Sequence, residues 1–174
     1  MESERILLRL WRESDAEVLY RHASDPEVGP QAGWPPHRSV DESREIIRTL
    51  FANDHTWAIV LKENGEPVGC IGYYTTSESN IGIGPRDAEV GYWVARPYWN
   101  RGIATEALRL LIDYCFRQRG FCTLWADHFV DNHASARVMQ KCGFRDTGQI
   151  NHLSRLAVGS DRPVNIMRLD FLKQ

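Results

Sequence analysis

With 174 residues, of which 43% are hydrophobic and 25% charged, the chain has the size and composition of one globular domain spanning residues 1–174. Its 21 basic and 23 acidic residues give a formal charge of −2, and no dense run of Lys and Arg occurs, so direct binding to nucleic acid is not expected. No uncharged apolar segment is long enough to span a bilayer, and the start Met-Glu-Ser-Glu-Arg does not resemble a signal peptide, so no membrane partner is expected.

The first half of the chain predicts a strand, two helices and a pair of strands. Two capping boxes, in which Ser14 pairs with Glu17 and Ser39 pairs with Glu42, predict where the helices begin. In chain order, the other predicted elements are a strand at 6–11, a Gly- and Pro-rich loop at 28–38, and two strands at 56–62 and 67–75 joined by a tight turn.

The second half predicts alternating strands and helices. Apolar residues recur at helical spacing from Ala104 to Cys115, which predicts an amphipathic helix between Gly102 and Gly120. The predicted strands are 88–95, 121–129, 149–156 and 164–171, and a shorter helix is predicted at 132–142. Because the strands on either side of the long helix would lie parallel in one sheet, the predicted fold class is α/β or α+β with a mixed sheet.

The most informative segment is residues 98–105, Tyr-Trp-Asn-Arg-Gly-Ile-Ala-Thr, which joins a predicted strand to the long helix. The first N–H groups of a helix have no helical acceptor and carry positive potential, so this turn can bind phosphate. Gly102 would let a phosphate approach the backbone, and Arg101 could add charge-assisted hydrogen bonds. An ordinary strand-to-helix connection explains the segment equally well. Ligands of open α/β sheets bind at the carboxyl ends of the strands, which places a site at 96–105 with 130–135 beside it.

The four cysteines are Cys70, Cys115, Cys122 and Cys142. They form no CxxC pair and have no zinc-ligand spacing with histidines, so we expect four small apolar side chains and no bound metal. Unpaired thiols are typical of a reducing compartment, and a cytoplasmic location is therefore expected.

Four blocks of sequence resemble the GCN5-related N-acetyltransferase superfamily, and more narrowly its branch of ribosomal-protein N-terminal alanine and serine acetyltransferases. The blocks are Ala88–Val94, Tyr98–Ala107, Asp131–Ser135 and Lys141–Phe144. The superfamily usually has Gln or Arg three positions before the first glycine of its pyrophosphate motif, whereas this chain has Trp99, as is common in that branch. The resemblance implies a mostly antiparallel central sheet with a splayed parallel strand pair, flanked by helices.

The resemblance also implies that the chain is an acyltransferase with acetyl-CoA as co-substrate. In similar proteins the strand at 88–95 bends at a bulge, and pantetheine pairs with it, here through the backbone of Trp93 and Val94. The Val94 amide would stabilise negative charge on the thioester oxygen. The other implied coenzyme-binding residues are Trp99, Asn100, Arg101, Gly102, Ile103, Ala104, Thr105 and Asn132.

Two residues are implied in catalysis. Ser135 would face the coenzyme sulfur and protonate the leaving thiolate, whose free pKa of ~8.5 makes modest assistance sufficient. The plain alternative is that Ser135 is only the third residue of a helix capped by Asn132. Glu89 shares a strand face with Gly91 and Trp93 and could take the proton of the attacking amine. Its alternative is an exposed or ion-paired glutamate.

The implied activity is acetyl transfer to a primary amine by direct attack in a ternary complex, with a protein or peptide N-terminus as the first candidate. An α-amino group titrates near ~8, so it needs less help than a lysine to become nucleophilic. Acetylation of a small-molecule amine (amino acid, polyamine or aminoglycoside) and a non-catalytic acetyl-CoA sensor remain alternatives. The loop at 29–38, with Trp34 and His37, would cover the acceptor side in this fold. Tyr73, Tyr74 and Tyr92 could line it, although each is as readily explained as an ordinary surface or core aromatic. Either a monomer or a homodimer is expected.

Overall fold

In the computed structural model, which describes residues 1–154 and 161–171, seven strands form one sheet. In chain order the strands are β1 (Ile6–Leu10), β2 (Thr56–Leu61), β3 (Pro67–Tyr74), β4 (Asp87–Val94), β5 (Thr123–Phe129), β6 (Arg145–Ser154) and β7 (Asp161–Asp170). The sheet order is β1-β2-β3-β4-β5-β7-β6, and neighbouring strands are antiparallel except β4 and β5. The predicted mostly antiparallel sheet with one parallel pair is therefore confirmed.

Five α-helices flank this sheet in the described part of the chain. They are α1 (Ala16–Ala23), α2 (Gly29–Ala32), α3 (Val40–Thr49), α4 (Ile103–Arg117) and α5 (His133–Lys141), with 3-10 turns at Glu13–Asp15 and Arg96–Tyr98. Among the described helices, none has both the length and the apolar character that crossing a bilayer requires.

The beginning of the first helix differs from its prediction, and the capping box of Ser14 and Glu17 is wrong. The chain first makes a 3-10 turn, and the Asp15 carboxylate accepts the Arg12 N–H at 2.9 Å. The same carboxylate pairs with the Arg9 guanidinium of β1, at 2.7 and 2.9 Å. Charge-assisted hydrogen bonds are stronger than neutral ones, so the carboxylate replaces the serine hydroxyl at this helix start.

The second predicted helix start is confirmed at Ser39, whose hydroxyl oxygen accepts the Glu42 N–H at 3.1 Å. The reciprocal bond goes one residue further back, because the Glu42 carboxylate accepts the Arg38 N–H. Two other boundaries differ. The predicted loop at 28–38 contains α2, and β6 begins at Arg145 rather than at 149. Residues 155–156 of that predicted strand lie outside the described residues.

The helices cover the two faces of the sheet, which separates the core into two layers. On one face α4 buries the apolar stripe that its periodicity predicts, formed by Ala107, Leu108, Leu111 and Cys115. On the other face the buried cluster includes Leu19 of α1 and Ile47 of α3. Since side chains alternate along a strand, neighbouring residues of a central strand contact different helices.

The parallel pair opens towards its carboxyl end. Strands β4 and β5 pair only from Asp87 to Glu89, whereas β3 and β4 stay in register as far as Val94. The pairing of β3 with β4 has no register shift, so the expected bulge is not found there. Strand β5 likewise stays paired with β7 as far as Phe129, so the splay lies between these two strand pairs and leaves one edge of β4 facing a gap.

Candidate active site

A cavity of about 890 Å³ opens where β4 and β5 separate. All the residues predicted to bind the coenzyme or to act in catalysis line it except Arg101: these are Glu89, Trp93, Val94, Trp99, Asn100, Gly102, Ile103, Ala104, Thr105, Asn132 and Ser135. The Arg101 guanidinium instead lies over the Tyr98 ring, 5.4 Å from its centroid. The structure thus does not bring the Arg101 charge into the cavity wall.

At the end of β4, the backbone groups of one residue, Val94, face the gap between β4 and β5. Ala95 N–H donates to Val68 C=O at 2.8 Å, and hydrogen-bonded and non-hydrogen-bonded pairs alternate along an antiparallel ladder. Val94 therefore points its N–H and C=O away from β3, and its C=O accepts the Trp99 indole N–H at 2.6 Å. Trp93 occupies a hydrogen-bonded position opposite Cys70. The backbone groups of Trp93 are therefore used by the sheet, whereas the Val94 N–H faces the gap.

The turn into α4 is built from two left-handed residues. Asn100 has φ 60° and Gly102 has φ 78°, a conformation that glycine adopts without steric cost. The first helical hydrogen bond runs from Glu106 N–H to Gly102 C=O at 3.0 Å. The N–H groups of Ile103, Ala104 and Thr105 precede that bond and have no acceptor within the helix. This end of the cavity is accordingly suited to an anion such as a diphosphate.

Arg5 supports this turn from behind, a role that the sequence did not indicate. Its guanidinium donates to Arg101 C=O at 3.0 Å and pairs with Glu106 in the first turn of α4. Burial raises the pKa of Glu106, but hydrogen bonds from Ser3 and Arg5 outweigh burial and hold it below its ordinary value. Arg5 thus neutralises a carboxylate that would otherwise repel an anion at the helix N-terminus.

The beginning of α5 joins Ser135 to a tyrosine. Asn132 Oδ1 accepts the Ser135 N–H at 3.1 Å, which confirms Asn132 as the N-cap. The Tyr92 hydroxyl lies 3.0 Å from Ser135 Oγ and 3.3 Å from Ser135 C=O. Burial raises the pKa of Tyr92, against the lowering effect of its hydrogen bond with Ser135, so the phenol stays protonated. Alternation along β4 could have placed Tyr92 on this face, but not against Ser135.

Glu89 is buried in the wall of the cavity, with 4% of its surface exposed. Its carboxylate accepts the Ser79 hydroxyl at 2.7 Å and the Asn80 N–H at 3.1 Å. Both donors come from the connection between β3 and β4. The alternative of an exposed glutamate is wrong, and the carboxylate is fixed beside the point where the parallel strands separate.

Residues of the loop at 28–38 also line the cavity, and side chains from β7 and from the start of α5 hold the loop there. Arg162 of β7 donates to Pro30 C=O at 2.9 Å and pairs with Asp131 at 2.7 and 3.0 Å. The Asn132 side-chain amide donates to Gln31 C=O at 3.3 Å. These bonds make the loop a roof over this part of the cavity.

The tyrosines predicted beside this loop differ in position. Tyr74 lines the cavity, whereas Tyr73 is packed in the core with 1% of its surface exposed. Tyr92 reaches Ser135 on the helical side instead. Tyr74 and Tyr92 thus both line the cavity, and of the three predicted tyrosines only Tyr73 is packed away from it.

Comparison with known proteins supplies the family. A sequence model described as an acetyltransferase (GNAT) domain matches residues 5–145, most of the chain. Among curated proteins, the uncharacterized N-acetyltransferase YoaA of Bacillus subtilis is 29% identical over 153 residues, which cover 85% of this chain and 84% of YoaA.

Solved structures share the fold at lower sequence identity. A ribosomal-protein-S5-alanine acetyltransferase from Vibrio fischeri has a TM-score of 0.74 and 23% identity, covering 98% of this chain and 95% of its own. A spermidine N-acetyltransferase from Vibrio cholerae, solved with CoA and spermine, has a TM-score of 0.75 and 18% identity, covering 97% and 96%. Proteins with different acceptors therefore have this same fold.

Proposed function

The chain belongs to the GNAT acetyltransferase family, and from that membership we propose that it transfers the acetyl group of acetyl-CoA to the amine of a protein or peptide N-terminus. The observation that carries the proposal is one continuous cavity. The same cavity is lined by the first residues of α4, whose amides have no acceptor in the helix, by Val94, and by Ser135 and Glu89. Acetyl-CoA supplies an activated acyl group and a thiolate leaving group.

The residues of the cavity suit the parts of this co-substrate. The amides of Ile103, Ala104 and Thr105 would hold the diphosphate, since a helix N-terminus is a ready anion site. The Val94 N–H would bind the thioester oxygen, where negative charge develops during attack by the amine. Asn132 would contact the pantetheine arm, since it lines the same cavity and caps the helix that carries Ser135.

Ser135 would donate its hydroxyl proton to the departing sulfur. Its Oγ lies 3.0 Å from the Tyr92 hydroxyl, which is a proton donor because burial keeps the phenol neutral. When Tyr92 donates to Ser135 Oγ, the serine proton is free to point into the cavity. Ser135 is thus the proton donor and Tyr92 is a positioning residue that acts through it.

Glu89 would accept the proton that the amine loses, directly or through a water molecule. Two hydrogen bonds from Ser79 and Asn80 fix its carboxylate at the cavity wall. An N-terminal amine, with a pKa near ~8, is partly neutral at physiological pH, so a weakly basic carboxylate is sufficient to accept its proton.

The test is release of free CoA from acetyl-CoA by the purified protein with N-terminal peptides, polyamines, aminoglycosides and amino acids. We expect turnover of peptides, and loss of about 10²-fold or more in kcat for Ser135→Ala. Gln140→Ala, at an exposed position of the same helix that does not line the cavity, is the matched control and should leave kcat unchanged.

Two results would count against this proposal. Turnover of polyamines or aminoglycosides alone would show a small-molecule acetyltransferase. Tight binding of acetyl-CoA without turnover of any amine would indicate a sensor.

A further inference from the structure

The roofed end of the cavity is lined by aromatic and aliphatic side chains, which we call the aromatic wall: Trp34, Trp93, Phe51, Leu50 and Ile46. The Trp34 and Trp93 rings meet edge to face, with centroids 5.5 Å apart. Trp34, Phe51 and Trp93 all pack on the buried cluster beneath α1 and α3. The wall is therefore an extension of the core into the cavity, held on a rigid base.

Backbone geometry fixes Trp34 in this wall. A Cβ atom at Gly29 would lie 2.5 Å from Trp34 Cε3, so only glycine lets the indole ring pack there. The Trp34 N–H donates to Gly29 C=O at 3.0 Å. Arg162 and Asn132 then hold the same loop from across the cavity. The indole ring is thus preorganised as a binding surface.

A histidine, His37, contacts this wall. His37 packs against Trp34 with ring centroids 5.2 Å apart, and its Nδ1 is 2.8 Å from Ser43 Oγ. Burial lowers the pKa of His37, more than the nearby Glu42 raises it. At neutral pH the imidazole therefore adds no positive charge.

Within the described part of the chain, no carboxylate belongs to the aromatic wall itself. Glu89 and Asp127 line the cavity where β4 and β5 separate, and Glu27 lies at the exposed start of the loop. Asp131, which also lines the cavity, pairs with Arg162 through both oxygens. One ammonium group can be attracted to the splay, whereas the further charges of a polycation would meet no carboxylate along the wall itself.

We propose that the aromatic wall is the acceptor subsite for an apolar side chain. The preferred acceptors would then be peptide N-termini with Leu, Met or Phe among their first two residues, rather than polyamines or aminoglycosides. The inference rests on the proposed acetyl transfer and narrows its acceptor. Trp93 of the wall and Glu89 lie on the same face of β4, so the amine of a peptide seated on the wall would lie on the Glu89 side of the cavity.

The experiment compares kcat/KM for peptides that differ only in their first two residues, with apolar, small, acidic or basic side chains, alongside spermine and an aminoglycoside. Wild type should prefer apolar peptides by about tenfold or more over small ones. Trp34→Ala should remove that preference by raising KM for apolar peptides, while affinity for acetyl-CoA by calorimetry stays the same. Trp34→Phe should restore part of it, and Phe171→Ala, an exposed aromatic outside the cavity, should change nothing.

A second variant guards against misfolding of Trp34→Ala. Leu50 is 65% exposed at the end of α3, so Leu50→Glu adds charge at the wall without disturbing the core. It should lower kcat/KM for apolar peptides and raise it for basic ones. Equal turnover of all peptides, or better turnover of spermine than of apolar peptides, would overturn the subsite while leaving acetyl transfer intact. Absence of turnover with every amine would overturn the proposed function and the subsite with it.

Discussion

Tyr92→Phe removes one oxygen from the protein, the phenol that hydrogen-bonds Ser135. The ring can stay where it packs against the core under α4, so the change isolates the hydroxyl. If that hydroxyl orients Ser135 for proton donation, its loss should slow the step in which sulfur departs. The substitution therefore tests whether Ser135 acts alone.

The magnitude follows from the geometry. The oxygens of Tyr92 and Ser135 are 3.0 Å apart, and both groups are neutral. A neutral hydrogen bond contributes about 0.5–1.5 kcal/mol net, which corresponds to about 2- to 12-fold in kcat. Deleting the proton donor itself in Ser135→Ala should cost more, about 10²-fold or beyond. The two effects differ enough to be separated in one assay.

The assay is CoA release at saturating acetyl-CoA and peptide, for wild type, both single variants and the double variant. We expect Tyr92→Phe to lower kcat several-fold with acetyl-CoA affinity unchanged, and to cost nothing further once Ser135 is alanine. Because burial raises the pKa of Tyr92, its ionisation should not shape the pH profile between about pH 6 and 9. Equal losses in both backgrounds would show that the phenol acts independently of Ser135, and an unchanged kcat would remove it from the reaction.

Three further outcomes are expected. Gly102→Ala should weaken acetyl-CoA binding in calorimetry and lower the free energy of unfolding by about 1–2 kcal/mol, since φ is 78° there; unchanged binding would contradict the role of the turn. Arg162→Met, which loses the bond to Pro30, should raise KM for the acceptor but not for acetyl-CoA, whereas a rise in both would show general loosening. Burial raises the pKa of Cys70 and of Cys115 to about 12, so both should escape iodoacetamide at pH 8 in native protein and react after unfolding, as read by mass spectrometry.

The sequence predicted the features that depend on local order along the chain. The apolar period from Ala104 to Cys115 defines α4, and Gly102 marks the turn before it, because helix faces and left-handed residues leave signals within a few positions. The splay could be expected only through the resemblance to a family. Where two local signals conflicted, the stronger hydrogen bond formed. The Asp15 carboxylate, and not the predicted Ser14 hydroxyl, accepts a backbone N–H at the start of the first helical segment.

Contacts between distant segments determine the rest of the site, and no period in the sequence reports them. Arg162 meets Pro30 across 132 positions, and Tyr92 meets Ser135 across 43. The first contact exists because β7 lies between β5 and β6, an order that alternating hydrophobicity does not specify. The coenzyme end of the cavity is formed by backbone amides of one short segment, so a sequence motif can predict it. The acceptor end is made of side chains that meet only in the folded chain, which is why the acceptor must be argued from their chemistry.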